Sequence, residues 1–197
     1  MVPLILASAS PRRRQLLQQI GLDFRVVASS VSEALPPEMN VKSGVMELAY
    51  RKAKAVAINE EQGLVLGADT VVVLGDKVLG KPAGPEEACA ILSQLQGKKH
   101  QVITGVAVLD IQSGSYLVEA EVTQVWMRKL TPRDIEGYVA TGEPLDKAGA
   151  YAIQGKGALL VEAINGCYFN VVGLPLLRVV RMLEKFGVDP WRRREEN

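Results

Sequence analysis

The chain has little of several chemistries on which domains often rely: two cysteines, one histidine and 5% aromatic residues among 197 positions. Cys89 and Cys167 are too few and too far apart for a disulfide framework or a structural zinc site, and they read as reduced, packed thiols. His100 would have to serve any Ser-His or Cys-His chemistry by itself. It stands at a strand entrance in Lys98-Lys-His-Gln-Val-Ile103 and is read as structural, which leaves acid–base work to carboxylates and lysines. Scarce aromatics offer few platforms for stacking bases. With 23 Lys plus Arg against 22 Asp plus Glu, the net charge of +1 gives no broad basic surface for nucleic acid. No apolar run approaches the length of a membrane span, and Met1-Val-Pro-Leu-Ile-Leu6 lacks the charged and apolar regions of a signal peptide. The expectation is a cytoplasmic protein with neither a membrane nor a nucleic acid as partner. The dinucleotide fingerprint G-x-G-x-x-G is absent too, which argues against a Rossmann sheet. Gly75-Asp-Lys-Val-Leu-Gly-Lys-Pro82 only imitates a P-loop, because Pro82 supplies neither the hydroxyl nor the N–H that the last position requires.

What is present is 48% hydrophobic residues in a length that suits one domain, or one domain with two lobes. Leu4–Leu6 read as a short buried strand, followed by a helix that Ser10 caps, Pro11 begins and Gly21 ends. Residues 41–58 read as a helix with Val45, Leu48, Ala49, Ala53 and Val56 on its apolar face. Leu64–Ala68 is a buried strand expected to stop at Asp69-Thr70, before a hairpin of 71–74 and 77–80 turning at Gly75-Asp76. A helix follows from Gly84 to Gly97, then a long antiparallel pair at 100–110 and 116–128, and a helix capped by Thr131. Residues 141–155 read as a long irregular and therefore functional loop, and 158–164 with 167–172 as a hairpin around Asn165-Gly166. Pro175 starts the last helix, and a frayed tail is expected from about residue 188. With no regular β-α-β alternation, this order predicts an α/β fold: a mixed, largely antiparallel sheet with flanking helices.

The chemistry begins at Ser8-Ala-Ser-Pro-Arg-Arg-Arg14, which puts three arginines in the first turn of a helix. Unpaired N–H groups and the macrodipole make positive charge unfavourable there, so removing Arg13 is expected to leave stability unchanged or slightly higher. A bound phosphate reverses that sign, collecting N–H groups, hydroxyls and guanidinium forks together. Lys52 falls on the apolar face of its helix, where a lysine either snorkels or points into a cleft. Asp69 ends a buried strand, a way to hold an acid rigidly, although capping or turn-making explains an Asp there equally well. Glu33 is a second candidate carboxylate. Two carboxylates beside a phosphate site hold a hard divalent metal through oxygen. Arg12, Arg13, Lys52 and Lys81 together supply the charge to neutralise a triphosphate.

Ala7-Ser-Ala-Ser-Pro-Arg-Arg-Arg-Gln-Leu-Leu17, Leu66-Gly-Ala-Asp-Thr70, Gly80-Lys-Pro82, Thr104-Gly-Val-Ala107, Gly142-Glu-Pro-Leu-Asp-Lys-Ala-Gly-Ala-Tyr151 and Val172-Gly-Leu-Pro175 together resemble the Maf family. The resemblance runs in order from about residue 4 to residue 184 and implies a single Maf-like domain over residues 1–197. It also implies two lobes around a cleft, similar to the fold of inosine triphosphate pyrophosphatases. The implied activity is nucleoside triphosphate pyrophosphatase, cleaving between the α and β phosphates. Arg12, Thr70 and Gln154 match the branch acting on dTTP and UTP rather than on 7-methyl-GTP. By the same matching, Asp69 takes the catalytic acid position, with Lys52 and Lys81 beside it. Ser8, Arg12, Arg13, Thr70 and Gln154 fall on substrate, and Asp69 and Glu33 on a divalent metal, Mg²⁺ or Mn²⁺. Ser32 departs from the pattern, since an acid commonly precedes the glutamate. The resemblance makes a homodimer plausible. It also keeps open a house-cleaning role on modified nucleotides and a nucleotide-responsive role in septum formation.

Overall fold

Local chemistry sets the first helices where the sequence marks them. The computed structural model describes residues 2–36 and 38–191. It begins with strand β1 (Leu4–Leu6), helix α1 (Pro11–Gln19), strand β2 (Arg25–Val26) and helix α2 (Val41–Ala57). The Ser10 hydroxyl accepts from the Arg13 N–H at 3.5 Å with Pro11 in the first turn, and Asn40 caps α2 by accepting from the Ser43 N–H at 2.9 Å. The chain continues through β3 (Leu64–Leu74), β4 (Lys77–Leu79), α3 (Pro85–Leu95), β5 (Lys99–Asp110) and β6 (Tyr116–Met127). The rest is α4 (Pro132–Val139), β7 (Val161–Asn165), α5 (Tyr168–Val172) and α6 (Leu176–Glu184). Thr131 and Asp134 form a reciprocal capping box at the start of α4.

The strands form one sheet in the order β2-β1-β3-β5-β6-β7, with β4 paired to β3. β1 runs parallel to β2 and β3, while β4 is antiparallel to β3 and β7 to β6. β5 and β6 are hydrogen-bonded neighbours joined by a short turn, which only an antiparallel pair allows. The expected class, a mixed and largely antiparallel sheet with flanking helices, is therefore what the chain adopts.

The chain divides into two compact units. One is built from the segments up to Asp69, Gly105–Glu119 and from Leu174 onward. Its core includes Ile5, Ala49, Ala53, Val56, Val65 and Ala107. A Cβ on Gly67 would lie 2.2 Å from the Ala49 carbonyl oxygen, and one on Gly105 would lie 2.2 Å from that of Val45. Only glycine lets the backbone of α2 sit this close to the strands. Because Asp69 follows Gly67 by two positions on β3, that approach brings the Lys52 turn of α2 over Asp69.

The other unit comprises Thr70–Thr104 and Ala120–Gly173. Its core includes Val72, Leu92, Leu95, Val102, Val125 and Met127. His100 is buried there, its Nε2 2.7 Å from the Tyr151 hydroxyl, and burial lowers its pKa to about 4. Both cysteines are free and half-buried.

Three local expectations are corrected. β3 does not stop at Asp69-Thr70 but runs through to Leu74, because those polar side chains find tertiary partners rather than making a turn. The 141–155 segment is not irregular throughout: short 3₁₀ turns occupy Glu143–Asp146 and Ala148–Ala150, and another begins at Gly155. The hairpin at 158–172 is absent. Gly155–Leu160 is 3₁₀, Val161–Asn165 is strand, and Tyr168–Val172 is a helical turn. Its Asn170 side chain donates to the Val102 carbonyl at 3.0 Å and to the Thr123 hydroxyl at 2.9 Å. The tail expected from about residue 188 falls largely on 192–197, outside the described residues.

Candidate active site

In the first unit, the Lys52 ammonium donates to a carboxylate oxygen of Asp69 at 2.7 Å and to one of Glu33 at 2.9 Å. The Lys52 and Asp69 side chains are 7% and 8% exposed, whereas that of Glu33 is 55% exposed, so the Asp69 contact is the one shielded from water. Lys52 therefore does not snorkel. Its position on the apolar stripe of α2 aims it inward at the acid of β3. Asp69 caps no turn in this arrangement.

The arginine-rich turn lies in the same unit. Arg13 is buried, and its Nη1 donates to the Ala68 carbonyl at 2.9 Å and to the Ser8 hydroxyl at 3.2 Å. Burial pulls the guanidinium below its ordinary pKa, offset in part by the negative charges of Asp69 and Glu33, while Arg12 adds to the lowering. Arg13 thus shares one electrostatic environment with both carboxylates. It also ties α1 to the residue that precedes Asp69. Arg12 is half-buried and Arg14 exposed. The expectation that Arg13 only burdens its helix is revised by these bonds, since its loss would take a buried donor from both the Ala68 carbonyl and the Ser8 hydroxyl.

Asp69 and Glu33 each bring one oxygen to the same cation position, now filled by the Lys52 ammonium. Such a pair of hard oxygen donors fits Mg²⁺ or Mn²⁺, which take one or two protein carboxylates and complete their shell with phosphate oxygens and water. Among the described residues, no group of three or more His, Cys, Asp or Glu is placed to hold a metal.

The remaining candidates, Thr70, Lys81 and Gln154, lie in the second unit. Thr70 is 2.9 Å from the Thr104 hydroxyl and donates to the Gly173 carbonyl at 3.4 Å, so its hydroxyl is engaged within that unit. Lys81 and Gln154 are exposed. Gln154 immediately precedes the Gly155–Leu160 turn. Thr104, fully buried, was not singled out among the site residues from sequence, and neither was Glu143. Both lie in motifs that carry the family resemblance, but neither breaks any local pattern.

The fold resembles that of a HAM1 protein from Coxiella burnetii. The match has a TM-score of 0.52 at 16% identity, over 94% of this chain and all of that one, and bears on architecture only. The sequence is more specific: the description of Maf-like proteins matches residues 3–186, and the chain belongs to the Maf family. A protein of Desulforamulus reducens named dTTP/UTP pyrophosphatase is 55% identical over 191 residues, covering 96% of this chain and 99% of its own. One of the same name from Moorella thermoacetica is 53% identical over 193 residues, covering 98% of this chain and all of its own.

Proposed function

We propose that this chain is a nucleoside triphosphate pyrophosphatase that hydrolyses dTTP and UTP to the monophosphate and pyrophosphate. The observation that carries the reading is the buried Lys52–Asp69 pair, with Glu33 on the same ammonium and Arg13 in the same field. It occurs in a chain more than half identical to dTTP/UTP pyrophosphatases over nearly its whole length. Asp69 orients water and accepts its proton, a role that requires a rigid and well-shielded carboxylate. Lys52 and Lys81 stabilise charge that builds on the departing pyrophosphate. Ser8, Arg12 and Arg13 hold phosphate oxygens at a helix start whose macrodipole favours anions. Thr70 and Gln154 face the nucleoside, and the Gln154 amide suits the alternating donor and acceptor edge of uracil and thymine. Asp69 and Glu33 would hold Mg²⁺ or Mn²⁺, which when bound supplies neutralising charge and a more acidic water. We take residues 1–197 as one functional domain, and place it in the cytoplasm without membrane or nucleic acid. No helix among the described residues is long and apolar enough to cross a membrane.

The test is to incubate the purified protein with UTP or dTTP and Mg²⁺ or Mn²⁺ and to identify products by phosphorus NMR. The monophosphate with pyrophosphate is expected. A diphosphate with orthophosphate would overturn attack at the α phosphorus, and no turnover of either nucleotide would overturn the reading.

A further inference from the structure

The segment Thr141–Leu160 contains a set of contacts in which one carboxylate serves several parts of the chain. Glu143 lies in a 3₁₀ turn with its side chain half-buried. Its Oε1 accepts from the Lys156 N–H at 3.1 Å and its Oε2 from the Gly157 N–H at 3.3 Å. Those N–H groups belong to the first turn of Gly155–Leu160, where the backbone has no acceptor of its own and negative charge is favoured. The carboxylate lies flush against Gly155: a Cβ there would meet Oε1 at 2.9 Å, and the residue has a φ of +62°. The Tyr138 hydroxyl accepts from the Ala152 N–H at 3.2 Å. Its pKa is pushed up to about 12, mainly by burial, with the charge of Glu143 and a hydrogen bond to it adding to the rise. Tyr138 therefore keeps its hydroxyl neutral beside the Glu143 charge. Lys147 closes the arrangement from the other side by donating to the Glu143 carbonyl at 2.6 Å.

Gln154 sits in the middle of this set. Ala152, two positions before it, is held by Tyr138, and the next three residues are held or packed by Glu143. We propose that Glu143, backed by Tyr138, is the positioning residue for Gln154 and so sets the base preference of the enzyme. Glu143 need not touch substrate to do this. An exposed Gln154 side chain discriminates between bases only if its backbone is fixed, because an amide free to shift satisfies several donor patterns equally well. The proposal rests on the reading of Gln154 as the base-contacting residue.

The test is a double-mutant cycle on the full-length protein, with kcat/KM measured for UTP, dTTP, CTP and ATP. Glu143→Ala should lower the preference for UTP over ATP about tenfold or more by thinning the population of competent loop, with a smaller loss on ATP itself. Added to Gln154→Ala, it should reduce that preference no further, because it acts through the residue already removed. Glu143→Gln, which keeps the shape and one acceptor, should show an intermediate loss and covers the case in which the alanine variant fails to fold. Equal losses on all nucleotides would mark Glu143 as merely structural and overturn the proposal. So would a loss of preference that adds to that of Gln154→Ala. If Gln154→Ala itself keeps the wild-type preference, the base-contact reading falls and the proposal with it. If Gln154→Ala loses the preference while both Glu143 variants keep it, the proposal alone falls.

Discussion

Replacing Lys52 by methionine should be far more damaging to stability than replacing either of its carboxylate partners. Methionine preserves the length and apolar stem of the side chain, so the change isolates the ammonium. The Asp69 side chain is 8% exposed and accepts from the Lys52 ammonium at 2.7 Å. Removing one member of a buried ion pair leaves the other charged and unsolvated, at about 3–5 kcal/mol. The Glu33 arm adds little, since that side chain is 55% exposed and an exposed pair is worth about 0–1 kcal/mol. For a chain of this size about 2–4 °C is lost per kcal/mol, so Lys52→Met should lower Tm by about 6–20 °C. Asp69→Asn should lose less, because Lys52 keeps Glu33 as its counter-ion and the amide oxygen still accepts a hydrogen bond, at about 1–2 kcal/mol. Combining the two should recover part of the Lys52→Met loss, since the Asp69 charge is then no longer stranded, although buried Arg13 loses the Asp69 countercharge. Denaturant titration of the four proteins, supported by thermal melts, measures the cycle directly. A Lys52→Met loss below that of Asp69→Asn, or no recovery in the double variant, would refute the argument that burial decides the energetics of this pair.

Asp69→Asn should abolish nearly all turnover while substrate binding, followed by equilibrium titration with a nucleotide, survives better; retained turnover at saturating metal would remove Asp69 from its role. Arg13→Ala should raise KM steeply and also lower stability. Two acceptors stripped of a buried donor cost about 1–3 kcal/mol, and relief of charge at the helix start returns about 0.3–1 kcal/mol. An unchanged Tm would favour the dipole argument instead. His100 is held near a pKa of about 4 against 6.5 when unfolded, so its contribution is present above about pH 6.5 and lost as pH falls through about 4. The full loss is on the order of 3 kcal/mol, and His100→Gln should flatten that part of the stability profile measured by urea unfolding. Gln154→Glu should cut kcat/KM for UTP and dTTP by about ten- to a thousandfold and leave purine triphosphates much less affected; equal losses on all bases would move Gln154 into phosphate binding or loop folding.

What the sequence discloses and what it conceals follows from how local the determinants are. Caps at Ser10 and Thr131 act within three residues, and the structure has helices starting at each. The Asp69-Thr70 pair reads locally as the end of a strand, yet β3 continues, since Lys52 lies 17 residues away and Thr104 lies 34. Asn165-Gly166 with Val171-Val172 reads locally as a hairpin. It yields a helical turn because the fully buried Asn170 side-chain NH₂ donates to the Val102 carbonyl and the Thr123 hydroxyl, on the neighbouring strands β5 and β6. In each case a distant partner for a polar side chain outweighs a propensity of about 1 kcal/mol or less.

The two buried cations among the described residues of the first unit show a tertiary fact that periodicity does reveal. Lys52 falls on the stripe Val45, Leu48, Ala49, Ala53 and Val56, and it is buried. Arg13 obeys the same rule: it precedes Leu16 by three positions and Leu17 by four, so it belongs to the buried face of α1, whereas Arg12 and Arg14 do not. A charge on an apolar stripe must find partners within the protein, and both do, at Asp69 and at the carbonyl just before it. Reading the arginine run as a uniform burden on its helix therefore overlooks the spacing that separates Arg13 from its neighbours. Glu143 and Thr104 give no comparable signal. One stands in a 3₁₀ segment with no period to violate, and the other is an ordinary β-former in a strand, so only their contacts distinguish them.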